Sequence, residues 1–345
     1  MRLPAEWEPQ AYVLFAFPNR AGDWGEQLDA ASRAMVNAAN LVNRVTPVVL
    51  IVGDAAHFAA YADDYEGQTL LLPTNDSWVR DFGPLTIFRD GRRIALGFTF
   101  NGWGGKFAAA LDNAIPGRLA TTLLNEVSYQ EPDFELEGGS IESDGAGTVL
   151  TTTTCLLNPN RNGGQATTPS VELALRNYLG ASRILWLSEG ELLGDDTDAH
   201  VDTLARFLDK TTIAYVRCSD QSDAHYGSLR RMEQQLKELR QADGQAYNLL
   251  PLPWCPPVYS DDDGHRLPAT YANFLISNGT LFLPTYFDGS TNHAGQAADA
   301  TAVTTLEKYG KYSVVPVPCR PFIEQHGSLH CLTMQIPAAP AVPAE

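Results

Sequence analysis

Polar and apolar positions follow a recurring order along the chain: a polar cluster, an apolar run, a turn, and a second apolar run. The clearest copies cover residues 81–96, 137–150, 200–216 and 273–284, with turns at Asp90, Asp144, Asp209 and Asn278. Successive turns lie 54, 65 and 69 residues apart, the mark of an internal repeat. Asp-Gly or Asn-Gly between apolar runs predicts a two-stranded hairpin. Between the hairpins, residues 25–44, 168–179 and 227–241 carry apolar side chains at mixed spacings of three and four, which predicts helices. Each unit therefore reads strand, strand, helix, strand. A fifth unit is expected from the two ends, with residues 328–336 pairing beside residues 11–17.

The pattern predicts an α/β ring of such units, closed by its terminal strands, in which the polar residues opening each first strand converge on a central axis. The alternative is a set of unrelated hairpins in an α+β fold. No Ser/Gly-rich or Pro-rich linker divides the chain. Residues 1–336 are thus expected to form a single catalytic domain of repeated units, and residues 337–345, rich in Pro and Ala, a loose tail.

Composition narrows the function. The 345 residues are 44% hydrophobic and 19% charged, the balance of a globular protein. Lys and Arg number 24 against 41 Asp and Glu, a net charge of −17. Such a field repels nucleic acid and anionic membranes and attracts cations, so the expected partner is a small cationic ligand, with no nucleic acid and no membrane. The five cysteines (Cys155, Cys218, Cys255, Cys319 and Cys331) are scattered and include no Cys-x-x-Cys pair, which suggests neither a disulfide framework nor a zinc cage. The opening residues carry no basic region leading into an apolar stretch, so a reduced, cytoplasmic location is expected.

If the units converge, they bring together Asp81, Glu137, His200 with Asp202, Asn273 and Cys331. His200 and Asp202 are two apart, so on a strand both would face one way, and a shared proton would raise the imidazole pKa. Cys331 with His200 suggests nucleophilic catalysis by a thiolate. Nearby carboxylates raise a thiol pKa, so this cysteine needs a positive charge to ionise, and a cationic substrate could bring it. Two carboxylates match a planar guanidinium in charge and geometry, which points to attack on a guanidinium carbon.

Bland readings stand beside these. Asp81 could form a local ion pair with Arg80, which is itself expected to hold a carboxylate in place. Glu137 could merely end a strand. Trp78 and Trp103 could be core aromatics or stack on a cation. The run Asp195-Asp196-Thr-Asp198-Ala-His200-Val-Asp202 invites a metal reading, but the spaced oxygen ligands and central glycine of an EF-hand loop are absent.

These clusters resemble the agmatine deiminase and bacterial-type peptidylarginine deiminase family of the guanidino-group-modifying superfamily. The resemblance runs nearly end to end. It covers Pro4-Ala-Glu-Trp-Glu-Pro-Gln, Asn75-Asp-Ser-Trp-Val-Arg-Asp-Phe-Gly-Pro, Phe100-Asn-Gly-Trp-Gly-Gly and Leu136-Glu-Gly-Gly-Ser-Ile-Glu. It continues through Cys155-Leu-Leu-Asn-Pro-Asn-Arg-Asn, Asp196-Thr-Asp-Ala-His-Val-Asp, Tyr271-Ala-Asn-Phe and Gly327-Ser-Leu-His-Cys-Leu-Thr-Met-Gln. It implies a five-bladed pseudosymmetric αβ propeller, or pentein, and a mechanism without metal or cofactor. Position by position it makes Cys331 the nucleophile, His200 the acid and base, and Asp81 with Asp202 the guanidinium clamp, while Glu137 and Asn273 shape the pocket.

The implied reaction is agmatine to N-carbamoylputrescine and ammonia, with deimination of arginine or peptidyl-arginine as the alternative. A guanidine-binding protein without turnover is the non-enzyme reading. The resemblance also suggests a homo-oligomer. Two departures bear on the substrate: His326-Gly-Ser-Leu-His stands where agmatine deiminases have a run of glycines, and Glu142 stands where many have His. Residues 255–270 read as an exposed loop that could cover the site.

Overall fold

Fully buried strands read as unbroken apolar runs, because both faces meet protein. Val48–Val52, Thr148–Thr152, Thr212–Val216 and Thr280–Thr285 are buried along their whole length in the computed structural model, which describes residues 1–339. The strands are β1 (Gln10–Ala16), β2 (Val48–Val52), β3 (Gln68–Leu71), β4 (Leu85–Arg89), β5 (Arg92–Leu96) and β6 (Ser128–Gln130). They continue as β7 (Ile141–Ser143), β8 (Thr148–Thr152), β9 (Arg183–Leu187), β10 (Ala205–Asp209), β11 (Thr212–Val216) and β12 (Asn248–Leu252). The last are β13 (Val258–Tyr259), β14 (Arg266–Leu267), β15 (Leu275–Ser277), β16 (Thr280–Thr285), β17 (Ser313–Pro318) and β18 (Met334–Pro337).

Four sheets share one topology: β4-β5-β6, β7-β8-β9, β10-β11-β12 and β15-β16-β17. In each, the first two strands form an antiparallel hairpin and the third pairs parallel to the second. The fifth repeats this from both chain ends: β18 is antiparallel to β1, β1 is parallel to β2, and β3 extends the edge. The fold is thus mixed α/β, built on five sheets of repeated order and a small β13–β14 hairpin.

Turn chemistry explains the hairpins. Asp90 with Gly91 and Asn278 with Gly279 all adopt positive φ, the backbone a two-residue type I′ turn requires. Asp209 has no glycine after it. Its carboxylate instead accepts hydrogen bonds from Thr211 N (2.7 Å) and Thr211 Oγ1 (2.9 Å), fixing the turn through its side chain.

The crossover helices are Leu28–Asn43, Thr168–Leu179 and Tyr226–Glu238, where spacing predicts them, with ends shifted by up to three residues. A fourth, His293–Tyr309, escapes the spacing rule because its sequence is rich in Ala and Thr and its apolar stripe is thin. Between β5 and β6 the crossover is made by the helical turn Gly102–Gly105 and the short helix Ile115–Ala120. Among the described residues no helix is long and apolar enough to cross a membrane.

Three expectations are corrected. The terminal strand spans Met334–Pro337 rather than 328–336, because His330–Leu332 winds into a helical turn. His200 and Asp202 likewise lie on a turn, Val201–Thr203 and the residue before it, not on a strand. Residues 255–270 carry the β13–β14 hairpin, so they are not simply loop. Of the expected tail, residues 340–345 lie outside the described residues.

Candidate active site

Each unit places its polar residue on a short turn just ahead of its first strand. Asp81 lies in the helical turn Val79–Phe82 before β4, and Glu137 precedes the turn Gly138–Ser140 before β7. His200 and Asp202 precede β10, Asn273 precedes β15, and Cys331 lies in His330–Leu332 before β18. The turn at Val79–Phe82 packs against both Gly138–Ser140 and His330–Leu332. Gly139 makes the meeting possible: a Cβ there would lie 2.7 Å from His200 Nδ1, 2.9 Å from Asp81 Oδ1 and 3.0 Å from Asp202 Oδ2.

Around Cys331 the contacts are specific. Asn273 Nδ2 donates to Sγ at 3.2 Å, its Oδ1 accepts from Cys331 N at 3.3 Å, and Asp202 Oδ2 lies 3.7 Å from Sγ. Asp81 accepts from Gly139 N (2.9 Å) and Trp103 Nε1 (2.9 Å), and its Oδ1 is 3.7 Å from His200 Nδ1. Burial and the Cys331 neighbours Asp202 and Asp81 push the thiol well above its ordinary range. Burial, then Asp202, raises the Asp81 carboxyl well above the usual carboxylate range. Burial also works against ionisation of Asp202, but the His330 hydrogen bond and charge, with His200 and Arg206, bring it below that range. The two carboxyls are therefore pushed in opposite directions.

His200 departs from expectation. It is fully buried, and burial outweighs the upward pull of Asp202 to bring the imidazole down to about 3, so the ring is neutral. Neither of its nitrogens has a hydrogen-bond partner in the protein, and neither does Asp202 Oδ1. The histidine that bonds Asp202 is His330, with Nδ1 2.7 Å from Oδ2. Buried polar atoms without partners are uncommon, and these three, on residues that Gly139 brings together, mark where a ligand's polar groups would be satisfied.

A cavity of about 190 Å³ opens above Asp81 and Cys331. Trp78 and Trp103 form its walls, and Gly327 lies flat on Trp78, where a Cβ would come within 2.2 Å of the ring. Trp103 holds its wall position with a left-handed backbone, φ 54°. Asp23, Asp76, Asp196 and Glu324 also line the cavity, and among its lining residues His326 alone carries a basic side chain. Burial raises the Asp76 carboxyl to about 7 and that of Asp196 to about 6. Glu137, Asn273, His200 and Asp202 are not on the cavity wall: Glu137 and Asn273 hold neighbouring groups, and His200 and Asp202 are fully buried behind it.

The functional side chains that sequence reasoning missed are charged groups buried as partners. Arg161, fully buried, donates to Glu137 (2.8 and 3.0 Å) and to Asp198 (2.6 Å). Arg206 bonds Glu142 and Glu6. Arg80, expected to hold a carboxylate, bonds Thr333, Gln335 and the His330 carbonyl, and its nearest carboxylate is Glu6 at 4.0 Å. It forms no ion pair with Asp81. Two sets of metal-capable atoms gather, Glu137–Cys155–His200 and Glu6–Glu142–His330, but in each a buried arginine already serves the carboxylates. In the run from Asp195 to Asp202, Asp195 accepts from Thr197 and Ala199, and Asp198 pairs with Arg161 and Lys106.

Asp112 braces the segment that carries Asp76 and Trp78. Its Oδ1 accepts from Asn75 N (2.7 Å) and Asp76 N (3.3 Å), while buried Oδ2 has no partner. Burial raises this carboxyl to about 8, so the folded state holds its proton far above the pH at which the unfolded chain loses it. That group therefore costs stability increasingly as pH rises from about 4 to 8. Asp112→Asn keeps Oδ1 and removes the ionisation. Its melting temperature should exceed that of the parent at pH 8, with the gain shrinking toward pH 4; a gain independent of pH would contradict the assignment.

A buried thiol, a neutral imidazole and two carboxyls shifted in opposite directions thus gather beside an acidic, tryptophan-walled cavity on a repeated α/β scaffold. The chain belongs to the Porphyromonas-type peptidyl-arginine deiminase family, whose pattern matches residues 2–337. It is 34% identical to a “Putative agmatine deiminase” of Vibrio parahaemolyticus, over 97% of this chain and 96% of that protein. Among solved structures, the C. jejuni agmatine deiminase with substrate bound is similar, with 35% identity, coverage of 98% and 96%, and a TM-score of 0.87. The “Putative Arginine Deiminase” of Porphyromonas gingivalis is 42% identical, with coverage of 98% of both chains and a TM-score of 0.86.

Proposed function

We propose that the protein is a cysteine-dependent guanidine deiminase that converts agmatine and water to N-carbamoylputrescine and ammonia. Residues 1–336 act as one catalytic domain, with the five units arranged as a five-bladed αβ propeller around the site. The observation that carries the reading is the distribution of charge in the cavity. The Cys331 thiol and Asp81 lie at one end, with Asp202 behind the thiol, and Asp23, Asp76, Asp196 and Glu324 line the remainder, which suits a substrate with a guanidinium at one end and a second cation at the other. Free arginine would bring a carboxylate against those acids.

In this reading Asp81 and Asp202 accept hydrogen bonds from the guanidinium and localise its charge. The arriving cation favours ionisation of both Asp81 and the Cys331 thiol, which burial and Asp202 hold protonated in the free enzyme. The thiol proton passes to His200, which is neutral and able to accept it. Cys331 Sγ bonds to the guanidinium carbon, the carbon–nitrogen bond to one terminal nitrogen breaks, and His200 returns the proton to the departing ammonia. An amidino-thioether cation remains. Neutral His200 then takes a proton from water, the hydroxyl adds to the carbon, the carbon–sulfur bond breaks to leave the urea and the thiol, and His200 releases its proton to the solvent, where ammonia takes it up as ammonium. Asn273, donating to Sγ, holds the nucleophile in place.

The family assignment favours a second reading, deimination of a peptidyl-arginine, which also lacks a free carboxylate on the reacting residue. Ammonia release from agmatine, free arginine and an N-acyl arginine amide at equal concentration, with a metal chelator present, separates these. Agmatine is expected to react fastest. Faster turnover of the blocked arginine would replace agmatine as the substrate while retaining the chemistry, and silence on all three would leave a guanidine binder.

A further inference from the structure

We propose that Glu6 and His330 are positioning residues for the reaction, forming a carboxylate–imidazole–carboxylate chain that sets the orientation of Asp202 beside Cys331. The inference rests on the deiminase reading above. Glu6 belongs to the segment that precedes β1, and its partners come from three distant parts of the chain. Its Oε1 accepts from Ile276 N at 2.6 Å, and its Oε2 lies 2.7 Å from His330 Nε2. The other ring nitrogen of His330, Nδ1, lies 2.7 Å from Asp202 Oδ2. Each ring nitrogen faces a carboxylate oxygen, which only accepts, so the ring bridges the two by donating from both sides. Arg206 Nη2 lies 3.0 Å from Nε2 and 3.0 Å from Glu6 Oε2, and the carboxylate is its acceptor.

The chain ends at the reacting group. The Asp202 oxygen held by His330 is the one 3.7 Å from Cys331 Sγ, and the other, Oδ1, has no hydrogen bond from the protein. Fixing Oδ2 fixes the plane of the carboxylate, and with it the direction in which Oδ1 meets a guanidinium donor. The His330 backbone N is tied to Asn273 Oδ1 at 2.9 Å, the side chain that also donates to Sγ. One residue thus aligns the clamp and the nucleophile from behind, and Glu6 anchors that residue. Burial opposes ionisation of Glu6, yet His330, Arg206 and Arg80 together keep its carboxyl below the usual range, so the anchor is anionic.

The test is a double-mutant cycle with Glu6→Gln and His330→Gln, both close in shape to the parent. Each single variant should lose about tenfold or more in kcat while KM for agmatine stays within about threefold, since Asp81 and the cavity wall still receive the substrate. If Glu6 acts through His330, the double variant should be within about twofold of the worse single variant. Losses that multiply, or lower melting temperatures with kcat per folded enzyme unchanged, would overturn the chain. Turnover by the parent judges the deiminase reading separately. In a parent silent on every guanidine, NMR of 15N-histidine-labelled protein reads the chain instead. One buried ring should carry hydrogen on both nitrogens, disappear in His330→Gln and shift in Glu6→Gln, and a spectrum unchanged by Glu6→Gln would refute the inference.

Discussion

Cys331→Ser should release no measurable ammonia from agmatine and should still bind it. Serine is a far weaker nucleophile at this position because the features that raise the thiol pKa, burial with Asp202 and Asp81 alongside, act more severely on a hydroxyl. A loss on the order of 10⁴-fold or more in kcat is expected, in line with removal of a nucleophile elsewhere. Binding should survive, since Asp81, Asp202 and the tryptophan walls are untouched and the change replaces one atom. Calorimetry of agmatine binding beside an ammonia assay checks both halves. Turnover above about 1% of the parent would remove Cys331 from the covalent role.

Arg206→Met should destabilise the protein by about 3–5 kcal/mol, measured as a shift in urea unfolding. The Arg206 side chain is fully buried, bonds Glu142 and Glu6, donates to the carbonyls of Ala272 (3.2 Å) and Phe274 (2.5 Å), and stacks on the Phe274 ring 4.6 Å away. Methionine fills the space but leaves two buried carboxylates without their shared cation, and desolvation of the orphaned charges, rather than lost contact, is the cost. Pairing the change with Glu142→Gln removes one orphan and should restore part of the loss. A single variant as stable as the parent would mean that the network is not desolvated as the structure indicates.

The hairpins were legible because local chemistry decides them: Asp90-Gly91 and Asn278-Gly279 can hardly be read otherwise. The convergence of Asp81, Asp202, His200 and Cys331 was legible for a related reason, since each interrupts an apolar stretch at the same place in a repeat. That these residues ride on helical turns was not. A two-residue spacing such as His200 to Asp202 fits one face of a strand, and nothing local announces a single turn of 3₁₀ helix. His200 as a neutral ring was missed because burial, unreadable from neighbours in sequence, exceeds the pull of Asp202. Glu6, Arg161 and Arg206 look like surface charges in the sequence. Only the fold brings Glu6 to Arg206 across 200 residues and Arg161 to Glu137 across 24.

The pairing of β18 with β1 has a consequence for synthesis. Cys331 lies on the turn leading into β18, and its unit is complete only when the last strand meets the first. During translation the other four sheets can form as they emerge, while β1 waits for a partner more than three hundred residues downstream. The turns that carry Asp81, His200 and Asp202 are therefore made before the sulfur arrives, but Asp202 gains its His330 partner only with it. A chain that has not yet made β18 lacks the strand that seats the Cys331 turn, so on the proposed reading turnover begins only once β18 has paired with β1.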